Sequence, residues 1–165
     1  MNPLLPYCEA LSEDVNQVLE QTAPMKHPLI ELIRYSLEEQ QEALKKLIPV
    51  LTADSEQIPS ADNASHQKSS NSDQHPDQSA LSLDQIRPYL SILYQNNEVA
   101  EPTMRAWVRA VHWIPSFETE HTEQIRSRYK HMREQLDEIA VNLREIYGQA
   151  AIKYVVPTFY LEVSL

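Results

Sequence analysis

Glu118-Thr-Glu-His121 has the Glu-x-x-His spacing of di-iron helical bundles, with two metal ligands one turn apart on one helical face. Such a centre needs a second Glu-x-x-His and two more helical glutamates. The chain has no second copy, so further carboxylates would have to come from a facing helix, at Glu31, Glu38 or Glu42. His27 and Glu31 have the spacing of one hemerythrin-type ligand pair, but the accompanying His-x-x-x-His is absent. His66 and His75 stand isolated in a polar run, and His112 lies in sequence between Trp107 and Trp113. Cys8, the single cysteine, cannot form an internal disulfide and reads as a small buried apolar residue. Nucleophile turns of the hydrolase kind usually involve glycines. This chain has one glycine in 165 residues, at position 148. A metal centre at Glu118 and His121 is therefore the alternative reading, and no cofactor is expected.

A different chemistry is written in the cations. Arg126, Lys130 and Arg133 share one helical face at i, i+4 and i+7, Arg128 lies nearby, and Arg105 and Arg109 make a second pair. Together they could form a basic strip for an acidic protein partner. They could equally be a solvated helix flank paired with Glu123, Glu134, Asp137 and the acidic first half of the chain. The net charge is −10. Residues 1–80 hold five Lys/Arg against thirteen Asp/Glu, while residues 81–165 hold nine against eleven. So acidic a surface repels phosphate, which disfavours nucleic acid.

The elements that must position these residues follow from spacing. Scarce glycine argues against tight hairpins and phosphate-cradling loops, and for long helices. Apolar stripes predict helices over about 7–22, 28–51, 82–95, 102–114 and 117–150. Ser82 and Gln85 form a capping box, Asn96-Asn-Glu98 is expected to end the third helix, and Pro49 to bend or end the second. Gln40 is the one polar member of the second stripe. In the last helix Ile125, Tyr129, Met132, Leu136, Ile139, Leu143, Ile146 and Ala150 alternate steps of four and three without a break. That repeat keeps one stripe against a neighbouring helix. Its flanks at the N-terminal end are arginines, which suit the acidic helices of this chain better than a parallel second copy.

The expected fold is all-α: a four- to five-helix bundle with heptad-type packing, a long disordered insertion and a short extended or strand-like tail. Residues 1–51 form an N-terminal helical hairpin and 52–80 a Ser/Asp/Gln-rich linker whose serines could be phosphorylated. Residues 81–153 supply the remaining helices. In the tail, 154–165, Phe159, Leu161 and Val163 alternate with polar residues. No apolar run reaches the ~18 residues of a membrane span, and the first residues show no secretory signal. The chain thus reads as a cytoplasmic, non-enzymatic interaction module: a small helical subunit, adaptor or chaperone-like component in a hetero-oligomer or homodimer, without nucleic acid or membrane. Its contacts are expected from Trp107, Trp113, Arg126, Lys130, Arg133, Phe159, Leu161 and Val163.

Overall fold

A computed structural model describes residues 2–57, 81–112 and 119–157. They form an all-α bundle: α1 (Leu5–Thr22), α2 (Pro28–Gln57), α3 (Leu83–His112), α4 (Thr119–Tyr147) and the single turn α5 (Gln149–Ile152). Trp113, Glu118, Phe159, Leu161 and Val163 lie outside the described residues, as do the 58–80 part of the expected linker and the side chains of His112 and His121.

The four long helices run up, down, up, down, each packed on its two neighbours in a ring. Long-range contacts fix the antiparallel registers. Asn2 donates to Asp54 Oδ2 at 2.8 Å, joining the start of α1 to the end of α2. The His27 ring meets Trp107 edge-on at 5.2 Å, joining the start of α2 to the end of α3. Tyr147 donates to the Leu81 carbonyl at 3.2 Å, and Tyr94 to the Leu136 carbonyl at 2.6 Å, aligning α3 with α4.

The cause of this arrangement is one repeated pattern. The stripe of α4 is buried from Ile125 through Tyr129, Met132, Leu136 and Ile139 to Leu143. Its neighbours are α1 and α3, so the rest of this chain covers it. Ile146 is half-buried and Ala150 exposed, because the helix ends at Tyr147. Gly148 makes that stop with a φ of +89°, a conformation L side chains rarely adopt. Beyond it, Ile152, Val155 and Val156 turn back into the core.

Two expected breaks do not occur. Residues 83–112 are one helix, not two. The apolar phase carries across the asparagines: Leu90, Leu93, Asn97, Ala100, Met104 and Trp107 are all buried at steps of three and four. Asn96 turns its side chain back onto the Ile92 carbonyl at 2.9 Å, so its polarity is satisfied within the helix. The second helix likewise runs past Leu51 to Gln57, shortening the expected linker. Asp54 takes the next place on its stripe, anchored by Asn2, while Ser55 accepts from the Asn2 backbone N–H at 2.7 Å. Pro49, Pro88 and Pro102 all sit on exposed faces, where water can take the carbonyl each leaves without a donor. At the start of α3, Gln85 accepts from the Ser82 N–H at 2.8 Å, one half of the capping box.

Two core residues make testable exceptions to the apolar rule. Gln40 is fully buried, and neither amide atom has a hydrogen-bond partner among the described residues. Gln40→Leu should therefore raise stability by about 1–3 kcal/mol, read as a higher denaturant midpoint at unchanged slope. Cys8 is also fully buried, and desolvation, with a smaller push from Glu9, raises its thiol from 9.0 to about 12. The folded chain thus keeps a proton that the unfolded chain loses above pH 9, so stability should fall as pH rises from 9 towards 12. The fall should be up to about 1.4 kcal/mol per pH unit, and Cys8→Ala should remove this component of the alkaline slope.

Candidate interaction groove

Helix α4 presents different residues to its two neighbours. Towards α1 it turns Arg128 and His131, which share the Asp14 carboxylate: Arg128 Nη1 lies 2.9 Å from Oδ1 and His131 Nδ1 2.5 Å from Oδ2. Asp14 is 1% exposed, whereas its partners are partly open to water. On its other side the His131 ring meets the Gln135 amide at 3.2 Å. This is an ion-pair cluster holding two helices together.

Towards α3, α4 turns Arg126, Tyr129, Lys130 and Arg133, at i, i+3, i+4 and i+7. Helix α3 answers with Glu101, Met104, Arg105, Val108 and Arg109 on one face. The α3–α4 seam is the loosest of the four. Between these two faces lies an open groove of about 560 Å³.

Its floor is Met104, Val108 and Tyr129. Its walls carry five cations and one carboxylate. Glu101 uses both oxygens, one taken by Arg105 at 2.9 Å and the other by Arg133 at 3.2 Å, and Arg133 also holds Asp137. That network closes one end. Towards the other, Arg126 has only a loose contact of 3.8 Å with Glu123. Arg109 and Lys130 are exposed and make no ion pair among the described residues. Cations gathered around a cleft with an apolar floor focus a positive potential despite the net charge of −10.

Tyr129 is the unusual member. Its ring lines the floor at 5% exposure, its hydroxyl is buried, and that hydroxyl has no hydrogen-bond partner among the described residues. Burial pushes its ionisation far above the ordinary tyrosine range, so the hydroxyl keeps its proton and remains a donor.

The structure therefore brings Arg126, Lys130 and Arg133 together with Arg105 and Arg109, because α3 and α4 are antiparallel and adjacent. Arg128 faces the other way, onto Asp14. Arg126, Arg133 and Arg128 pair with Glu123, Asp137 and Asp14 respectively, and Arg105, Arg109, Arg126, Lys130 and Arg133 line the cleft. Trp107 is 2% exposed and packs against His27, so its ring fills the core. Glu31, Glu38 and Glu42 are exposed on α2, outside the interior where a bundle metal centre would need them. Among the described residues no group of three His, Cys, Asp or Glu side chains is arranged to hold a metal ion, and no helix is long and apolar enough to cross a membrane. Sequence reasoning missed Asp14 and the groove floor. The usable signal was that the cationic trio of α4 and the pair of α3 flank the same connection and face each other once those helices form a hairpin. Comparisons with family models, with curated proteins and with solved structures return no match for this chain.

The Asp14 cluster yields a rescue test. Arg128→Met with His131→Leu leaves a buried carboxylate alone and should cost about 2–3 kcal/mol, less than for a pair wholly shielded from water. Adding Asp14→Leu should restore most of that loss in thermal or denaturant unfolding.

Proposed function

We propose that this chain is a non-enzymatic interaction module, a small helical component of a larger cytoplasmic assembly, whose α3–α4 groove receives an acidic amphipathic segment of a protein partner. The observation that carries this reading is five cationic side chains set over an apolar floor in a chain of net charge −10. An apolar floor alone would suit any hydrophobic segment. The ring of cations selects one flanked by carboxylates and speeds its approach. The groove spans residues 101–109 of α3. At about 1.5 Å per residue that is roughly two helical turns, enough for two apolar anchors at i and i+3 or i+4. Cys8, fully buried and with its thiolate suppressed, supplies no nucleophile and suits a reducing compartment.

The test uses a stapled helical peptide with two leucines one turn apart among glutamates, and its counterpart with lysines in their place. The glutamate peptide should bind, and added salt should weaken it. Arg109→Glu with Lys130→Glu should weaken it by about tenfold or more. Tyr129→Phe should fold at least as stably as the wild type, since it removes a buried hydroxyl without a partner among the described residues, and should bind the peptide as well as the wild type does. Equal binding of both peptides, or indifference to the charge reversal, would refute the reading.

A further inference from the structure

Among the described residues, the large apolar side chains left exposed are Leu32, Tyr35, Val99 and Tyr154. Three of these share one face. Leu32 and Tyr35 lie one turn apart on α2. The His27–Trp107 contact, and Tyr89 and Ile92 facing the Ala43 region, give one antiparallel register for α2 and α3. That register sets Val99 level with Tyr35. The face is also acidic: Glu38, Glu39 and Glu42 follow Tyr35 along a shallow cleft, with Lys46 beyond them. Glu42 has an exposed contact with Lys45 at 3.6 Å, too open to water to quench the patch.

This surface has the properties the α3–α4 groove selects. It offers two apolar anchors at i and i+3 on a preformed helix, followed by carboxylates over the next two turns. We propose that the occupant of the groove is the acidic α2–α3 face of a second copy of this chain, so that copies assemble head to tail. This rests on the reading of the groove as a site for acidic amphipathic segments. Contact cations and carboxylates attract over a few ångströms, whereas repulsion between two chains of −10 is screened beyond about 8 Å at physiological salt. Groove and acidic face are different surfaces, so one contact leaves each copy of the pair with one of them unused. Such heterologous contacts build a ring if they close and an open series if they do not.

Two surface variants test this, since all four positions are exposed and the changes spare the core. Arg109→Glu with Lys130→Glu disables the groove and leaves the acidic face. Leu32→Asp with Tyr35→Asp disables the face and leaves the groove. Sedimentation velocity on the full chain should show the wild type growing past a dimer with concentration, and each variant alone as a monomer. An equimolar mixture of the two variants should stop at a one-to-one dimer, because it holds one working groove and one working face per pair. A wild type monomeric at every concentration overturns the proposal, as does association that survives either variant. If the wild type is monomeric yet the glutamate peptide still binds, the groove reading stands and its occupant is another protein. If the peptide also fails, both fall.

Discussion

Asp14 lies between the first and the last of the long helices, out of reach of water, with Arg128 and His131 on either side of its carboxylate. This contact spans more than a hundred residues of chain and closes the ring of four helices. It also has a rotational consequence. Arg128 and His131 can face α1 only if the α4 residues between and beside them face elsewhere. Tyr129, Lys130 and Arg133 are thereby turned towards α3. The ion pair on one side of α4 thus sets which side chains line the cleft on the other. A buried charge contributes modestly to net stability, since desolvation offsets most of the attraction. Its effect here is geometric: a slipped or rotated α4 would leave the carboxylate alone.

The four stripes explain why the bundle tolerates features that break isolated helices. A proline inside a helix costs about 3 kcal/mol, and α2 and α3 together hold three. Each lies on the solvent side, while a 3.5-residue apolar phase continues underneath. Burial of large side chains at about 1.5–3 kcal/mol each outweighs the local penalty. Gln40 belongs to the same frame. It interrupts an apolar stripe at the level of Tyr94, whose hydroxyl is bound across to α4. Its amide has no hydrogen-bond partner there among the described residues, so the apolar members of the stripe set the alignment and Gln40 is carried by them.

How legible this was in the residues follows the range of the interactions. The stripes of α1 and α4 depend on spacing alone and were readable, as was the all-α class from the scarcity of glycine. The break expected at Asn96-Asn-Glu98 was misread because propensity was weighed locally. The phase from Leu93 through Asn97 to Ala100 already signalled continuity. The last turns of α2 were unreadable locally, since Asp54 and Ser55 are held by Asn2, far away in sequence. The groove was half-legible. Its cations have helical spacing, but their convergence depends on which helices are neighbours. Tyr129 belongs to the readable stripe of α4, yet nothing in its spacing signals that the floor of the cleft lies there.

The registers give the bundle two unlike poles. Asn2, the end of α2, Leu81 and Tyr147 gather at one of them; burial and the nearby Asp54 together raise the Tyr147 hydroxyl there. The charged cleft lies towards the opposite pole, near the His27–Trp107 contact. Gln57 and Leu81, the described residues on either side of positions 58–80, therefore stand at the pole away from the cleft. Lengthening, cutting or decorating the chain at Gln57 or Leu81 acts on one pole, and the cleft lies towards the other. A surface or label attached at the first therefore stands at the far end of the bundle from the five cations of the cleft.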